Sequence, residues 1–258
     1  MKLDNKIGYA HRGLHNLEQS VIENSETAFR KAISAGVGIE IDVQMSGDRV
    51  PMVFHDETLS RLTGQDGRLS FMKSSVLKQI PYALGQDRIL TLKECLNLVD
   101  GQVPLLIEVK SHWTDRDEME QGIMDAVCDY KGPYGIMSFD PSVIRRLKTK
   151  GFQGQCGLVT SQCPPKDWPQ ITEDQRLEGK VQFEAARELE IDFIAHEIGD
   201  ITNPHLQATL RALDIPLFSW TVRTEAQCIQ AKDMNAVPIF ETIDYKDLTN
   251  VLAAHSHS

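Results

Sequence analysis

Residues Gly38 to Asp56 read GIEIDVQMSGDRVPMVFHD, and the way this stretch folds decides the architecture of the whole chain. Two β-type runs, GIEIDV from Gly38 and VPMVFHD from Val50, flank a link from Met45 to Arg49 with Ser46-Gly47-Asp48 at its centre. Parallel neighbours need a crossover of roughly a dozen residues or more, so these runs make an antiparallel hairpin. Side chains alternate along a strand, which sends Glu40 and Asp42 to one face and Ile39, Ile41 and Val43 to the other. The aliphatic face suits a covering layer of helices. The acidic face does not, and His55, at the end of the returning arm, comes back to about the level of the two carboxylates.

Outward from this hairpin the chain alternates. Apolar runs begin at Ile7 (IGYAH), Gly38, Val103 (VPLLIEVK), Tyr134 (YGIMSF), Gln155 (QCGLVT), Ile191 (IDFIAHE), Pro216 (PLFSWTV) and Val237 (VPIFET). Each is followed, directly or after an insertion, by a helical pattern: Ser25 to Ala35, Thr91 to Val99, Arg116 to Tyr130, Pro141 to Lys150, Glu173 to Glu190, Pro204 to Leu213, Thr224 to Met234 and Tyr245 to Ala253. Eight strand-helix units in 258 residues make an α/β fold, a (β/α)8 barrel read as one domain over residues 1–258. The second arm of the hairpin is surplus to that count. With the mostly polar stretch from Asp56 to Thr91, which carries a weak helical pattern from Phe71 to Ile80, it forms a small cap inserted at about 44–90 over part of the barrel mouth.

Active sites of such barrels lie at the carboxyl-terminal rim. That rim gathers Glu40 and Asp42 from the second barrel strand, and Glu108 and Lys110 from the third, with Leu106 deepest on the same face. His11 ends the first strand and Trp220 lies near the end of the seventh.

The composition, 41% hydrophobic and 25% charged, is that of a globular protein with a large core. A net charge of -10 without a run of Lys or Arg excludes nucleic acid and an anionic membrane surface as the expected partner. The five cysteines, Cys95, Cys128, Cys156, Cys163 and Cys228, are scattered without a Cys-x-x-Cys pair, so reduced thiols are expected rather than a zinc site or a disulfide framework. A strand already begins near Ile7, and no apolar run approaches the roughly 20 residues needed to cross a bilayer. A cytoplasmic protein is expected.

Three inward carboxylates at one rim repel one another unless a positive charge sits between them. A divalent cation is the simplest, and ligation by carboxylates alone favours a hard ion, Mg2+ or Ca2+. Arg12 and Lys110 add fixed positive charge, and together with the ion they would grip phosphate oxygens. His11 and His55 flank the same site and supply what phosphodiester cleavage needs, one group to take a proton and one to give it. Taken singly, these residues have plainer readings: an inward carboxylate is often half of a structural salt bridge, and Lys110 could simply pair with Glu108. Their convergence on one rim carries the functional reading.

HRG (His11 to Gly13), IENSETAF (Ile22 to Phe29), GVGIEIDVQMSGDRVPMVFHDETLSRLTG (Gly36 to Gly64), LLIEVK (Leu105 to Lys110), MSFD (Met137 to Asp140) and SWTV (Ser219 to Val222) together resemble the glycerophosphodiester phosphodiesterase family. The resemblance implies a TIM-type barrel with a small cap, a metal held by Glu40, Asp42 and Glu108, acid and base roles for His11 and His55, and phosphate contacts from Arg12 and Lys110. It also implies the products, glycerol 3-phosphate and an alcohol. Three positions depart from the family pattern: Ile22 stands for a proline, Gly38 for a common Asp, and Glu241-Thr242 for Thr-Asp. Ser25 still supplies a helix cap, and the changes are expected to bear on substrate choice more than on the reaction. Trp220 is expected to stack on the substrate's glycerol or else to be a core tryptophan, Glu241 to orient Arg12 or His11 or else to make a surface pair, and His196 and Glu197 to be structural.

The reading that results is a metal-dependent hydrolase of small glycerophosphodiesters such as glycerophosphocholine or glycerophosphoethanolamine, without stable membrane association. Phosphorus is attacked either by water or first by the glycerol 2-hydroxyl, through a cyclic phosphate. The alternatives are a phospholipase D-like or lyase relative on the same barrel, which predicts an exposed apolar rim, and a barrel that only binds phosphodiesters.

Overall fold

The structure, a computed structural model, describes residues 3–4, 7–111, 118–162 and 181–253. Its centre is a closed parallel barrel of eight strands. These are β1 (Tyr9–Ala10), β2 (Gly38–Met45), β5 (Leu105–Val109), β6 (Tyr134–Ser138), β7 (Gln155–Thr160), β8 (Phe193–Glu197), β9 (Leu217–Val222) and β10 (Ala236–Phe240). β1 closes the ring by pairing with β2 on one side and β10 on the other. Around it run α1 (Glu26–Ala35), α4 (Leu92–Val99), α5 (Glu118–Val127), α6 (Pro141–Thr149), α7 (Val181–Glu188), α8 (Pro204–Leu213), α9 (Glu225–Asp233) and α10 (Tyr245–Ala253). The barrel strands and the helices fall where the sequence places them. The first residues expected for α5, and residues 173–180 expected for α7, lie outside the described residues.

Alternation along each strand divides the core in two. Ile39, Ile41, Val43, Ile107 and Val109 face outward into the layer shared with the helices, while Tyr9, Leu106, Met137, Val159, Phe193 and Phe218 fill the barrel interior. Burying each such side chain contributes about 1.5–3 kcal/mol. Gly38, at the closed end of β2, packs under the Tyr9 ring, which a Cβ would meet at 2.5 Å. This departure from the family pattern therefore serves packing and lies away from the substrate end, four residues before Asp42 along the strand.

The hairpin forms as expected, with Val43, Gln44 and Met45 of β2 paired antiparallel to Val53, Met52 and Pro51 of β3 (Pro51–Val53). Val43 also pairs with Val109, so β3 lies on the edge opposite β5, the edge that β1 leaves bare beyond Ile39. A short β1 thus makes room for the insertion. A further strand that the sequence did not suggest, β4 (Leu90–Thr91), extends the ribbon by pairing with Met52 and Val53. The inserted segment also carries α2 (Ser60–Thr63) and a small core of its own that includes Met52, Phe54, Leu59, Leu62, Leu69, Leu77 and Tyr82.

The helix expected from Phe71 to Ile80 is broken. A 3-10 turn covers Leu69–Phe71 and α3 covers Ser74–Leu77, with Met72 and Lys73 extended between them. The hairpin tip imposes this: the Gly47 amide donates to the Met72 carbonyl at 2.7 Å, and Asp48 accepts from the Ser74 amide at 2.6 Å, starting a new helix there. The described cysteines carry free thiols, buried at Cys95, Cys156 and Cys228 and exposed at Cys128; Cys163 lies outside the described residues. No described helix is long and apolar enough to cross a membrane.

Candidate active site

The turn after β1 brings the first residues to the mouth. The His11 amide donates to the Phe240 carbonyl, after which Arg12 and Gly13 take left-handed backbone conformations, with φ of 56° and 80°. Gly13 is required there twice over, because a Cβ would also meet Ala28 at 2.9 Å. The turn aims the Arg12 amide at Glu40, donating to Oε2 at 3.1 Å. Its guanidinium lies over Asp42, with Nε 3.1 Å from Oδ2, and donates from Nη1 to Glu23 Oε1 at 2.7 Å.

β2 and β5 bring the acids together. Asp42 sits opposite Glu108 in the strand register, and one oxygen from each of Glu40, Asp42 and Glu108 lies within 4.8 Å of the others. That spacing is within reach of one ion bonded to oxygens at about 2.1–2.6 Å. Glu40 Oε1 is buried and accepts no hydrogen bond, which fits an acceptor reserved for a cation. Burial, then the charges of Asp42 and Glu108, push the Glu40 carboxyl well above the usual range. Burial works against the charge of Asp42 as well, but Lys110 and Arg12 overcome it and hold Asp42 well below that range. Lys110 Nζ donates to Glu108 and lies 3.0 Å from Asp42 Oδ1. The residues present therefore fit a hard divalent ion at these three carboxylates.

Each imidazole is held by a carboxylate. His11 Nδ1 lies 2.6 Å from Glu241 Oε2, and His55 Nδ1 lies 2.7 Å from Asp56 Oδ1. An ionised carboxylate only accepts, so Nδ1 carries the proton in both rings and Nε2 is left for chemistry. For His11, that atom is 4.0 Å from Glu40 Oε2. Burial lowers the His11 pKa, opposed by its bond to Glu241. Glu241 also pairs with Arg223 at 2.6 Å and lies 3.6 Å from His15; burial raises its pKa, but the bond from His11 leads the interactions that hold it far below the usual range. Both expectations for Glu241 are met, one oxygen taking the His11 contact and the other a pair with the exposed Arg223.

His11, Arg12, Glu40, His55, Glu108 and Lys110 line one cavity of about 290 Å³. Trp220 lines it too, its ring edge-on to Phe139 at 5.6 Å and its Nε1 donating to the Ala195 carbonyl at 3.0 Å. The indole N–H is thus already occupied, leaving the ring as its contact surface. His196 is apart from this group, fully buried, with Nδ1 2.7 Å from Thr160 Oγ1 and Nε2 3.2 Å from the Asp200 carbonyl, a structural setting as expected.

Several supporting residues were missed by sequence reasoning. Gln44 continues the inward face of Glu40 and Asp42, and its amide spans the Phe54, His55 and Asp56 carbonyls at 2.8–3.0 Å, fixing the backbone that carries His55. The period-2 pattern already placed it on that face. Asn24 donates to Asp42 Oδ2 at 2.9 Å and accepts from the Asp42 amide. Ser25, as expected, caps α1 by accepting from the Ala28 amide. Glu23, Asp56 and Arg61 gave no sequence signal of a role. The cap apolar residues Leu59, Leu62 and Leu69 are buried in its own core, while Phe71 is exposed with Arg68 over its ring.

The sequence model of the Glycerophosphoryl diester phosphodiesterase family matches residues 11–242. This chain belongs to that family. As a family member it is an enzyme, a glycerophosphodiester phosphodiesterase. It is 32% identical over 169 residues to a glycerophosphodiester phosphodiesterase of Caldanaerobacter subterraneus subsp. tengcongensis, covering 58% of this chain and 67% of that one. It is 25% identical over 256 residues to glycerophosphodiester phosphodiesterase 1 of Bos taurus, covering 86% and 73%. A phosphodiesterase of Oleispira antarctica, solved in complex with the product sn-glycerol-3-phosphate, shares the fold with a TM-score of 0.76 at 21% identity, over 94% of this chain and 95% of that one. A glycerophosphodiester phosphodiesterase of Parabacteroides distasonis superposes with a TM-score of 0.78 at 19% identity, over 98% and 99%.

Proposed function

We propose that this family member hydrolyses small glycerophosphodiesters to glycerol 3-phosphate and an alcohol, with glycerophosphocholine and glycerophosphoethanolamine as the first substrates to test. The observation that carries the reading is the meeting of Glu40, Glu108, two fixed cations and two imidazoles around one cavity, with an Asp42 oxygen within 4.8 Å of one oxygen from each of those carboxylates. Glu40, Asp42 and Glu108 hold the cation, Mg2+ or Ca2+. When bound, it supplies a Lewis acid for phosphate oxygens and offsets the repulsion among its ligands. Arg12 and Lys110 orient the phosphate by charge-assisted hydrogen bonds. Trp220 offers an apolar face to the glycerol. His11 and His55, each with Nδ1 engaged, use Nε2 to exchange protons with the nucleophile and the leaving alkoxide.

The burial of Leu59, Leu62, Leu69 and Leu77 in the cap core leaves Phe71, Val76 and Leu84 as its exposed apolar side chains, and supports a soluble diester over a lipid in a membrane. The chain is read as one domain with its cap at about 44–90, working in the cytoplasm without nucleic acid or stable membrane association. The test is turnover on a panel of glycerophosphodiesters with metal stripped by EDTA and then restored. Release of glycerol 3-phosphate only with restored metal supports the reading, and no turnover with any cation overturns it. Phosphorus NMR during turnover distinguishes direct water attack from a cyclic phosphate.

A further inference from the structure

We propose that Arg61, on the cap helix α2, is a positioning residue that couples His55 to Arg12. The inference rests on the roles proposed above. The Arg61 guanidinium is forked between two carboxylates, and each carboxylate serves a different functional side chain. Nε donates to Asp56 Oδ2 at 2.5 Å and Nη2 to Asp56 Oδ1 at 2.9 Å. Nη1 donates to Glu23 Oε2 at 2.9 Å and Nη2 to Glu23 Oε1 at 2.7 Å. Asp56 Oδ1 accepts from His55 Nδ1, and Glu23 Oε1 accepts from Arg12 Nη1, so a continuous chain runs His55–Asp56–Arg61–Glu23–Arg12. Arg61 does not line the cavity and its side chain is 46% exposed, so it acts through these partners.

The fork divides the attraction of each carboxylate. Glu23 is buried, and with Arg61 gone it would have Arg12 alone to neutralise it, drawing that guanidinium away from Asp42 and the phosphate position. Asp56 follows His55 directly and would be free to turn, and His55 would lose the fixed acceptor that sets its tautomer. A lysine cannot reproduce the fork, because an ammonium is a point charge without the planar pair of donor edges. Merely pinning the cap does not require Arg61. Leu62 of the same helix is buried in the cap core, and the Leu62 carbonyl accepts from the Ala83 amide at 2.8 Å. The cap insertion therefore does more than roof the mouth: it holds the proton-transfer group and the phosphate-binding group in one register.

The test is steady-state kinetics on glycerophosphocholine with restored metal for wild type, Arg61→Lys, Arg61→Met, Asp56→Asn, Glu23→Gln and the double variant Arg61→Met/Asp56→Asn. It is accompanied by 15N NMR of the His55 ring and by melting curves. Arg61→Met should lower kcat by about tenfold or more and raise KM, the size expected for misplacing groups that act in the transition state. Arg61→Lys should melt near wild type yet lose most of kcat. Asp56→Asn should lower kcat alone and Glu23→Gln should mainly raise KM. In the Asp56→Asn background Arg61→Met should cost less than about threefold in kcat, because the route through Asp56 is already broken. The His55 15N shifts should move in both Arg61 variants. Wild-type kcat, KM and His55 shifts in Arg61→Lys, or fully multiplicative losses in kcat for the double variant, overturn the proposal. If Arg61→Met does not fold, Arg61→Lys decides between the same two outcomes. If wild type turns over no diester at all, the functional reading fails, while the His55 shifts still report whether Arg61 fixes the ring.

Discussion

Replacing Glu40 with Gln separates a metal site from a structural salt bridge by the sign of a stability change. Two unit charges 4.8 Å apart, the outer limit for the oxygens of Glu40, Asp42 and Glu108, repel by about 3.5 kcal/mol at an effective dielectric near 20. Burial disfavours the charge of Glu40 most, its two neighbours add to this and Arg12 and Lys110 relieve it in part, so its carboxyl is pushed well above the usual range. The amide keeps the shape and an oxygen for the Arg12 backbone N–H. Metal-free Glu40→Gln should therefore be more stable than metal-free wild type, by about 1–3 kcal/mol, or several degrees in Tm. Cation binding should weaken in the same variant. Wild type at a cation concentration 100 times its Kd gains about 2.7 kcal/mol, and a tenfold to hundredfold weaker site loses about half or most of that gain. The assay is thermal unfolding in EDTA and across titrations of Mg2+ and Ca2+. A lower Tm for the variant in EDTA, or a cation-induced shift equal to that of wild type, would refute the assignment of Glu40 as a ligand.

Other outcomes follow from the same geometry. His11→Ala and His55→Ala should each reduce turnover by roughly 100-fold or more with folding intact, checked by circular dichroism beside the kinetics; normal turnover removes that residue from the mechanism. Glu241→Gln should lower kcat by about tenfold to a hundredfold with KM nearly unchanged, because a charge-assisted bond to His11 Nδ1 is weakened without touching substrate. Gly38→Ala should destabilise by about 1–3 kcal/mol in denaturant unfolding, since the new Cβ would sit 2.5 Å from the buried Tyr9 ring. Burial works against the charge of Glu23, yet hydrogen bonding from Arg61 and the charge of Arg12 hold its pKa below normal. Its contribution is thus complete above the ordinary glutamate pKa of about 4.3 and is lost as pH falls through the depressed value. Glu23→Gln should flatten the loss of Tm in that acid range, and an unchanged acid slope would show that Glu23 contributes none of it.

The barrel was legible because its determinants are local and periodic. Aliphatic residues at every second position of GIEIDV and LLIEV fix which face meets the helices, and the length of each connection fixes parallel or antiparallel pairing. Glu40, Asp42 and Glu108 were legible for the same reason: strand parity alone turns them inward, and pairing of adjacent barrel strands sets Asp42 beside Glu108. The broken helix at Met72 and the extra strand β4 were not legible. Both are set by bonds from the hairpin, Gly47 to Met72 and Met52 to Thr91, whose partners lie some 25–40 residues apart.

Sequence by itself therefore determined the strand-helix order, the hairpin, the inward acids and the pair of histidines at the rim. Tertiary structure alone decided what holds those groups in place. Glu241 reaches His11 across 230 positions, and Arg61 reaches Glu23 across 38, because barrel closure and cap folding bring them there. No local periodicity encodes such contacts. A carboxylate that orients an imidazole and one that makes a surface pair are the same residue in a sequence, and only the distance to the ring, set by the packing of remote elements, tells them apart.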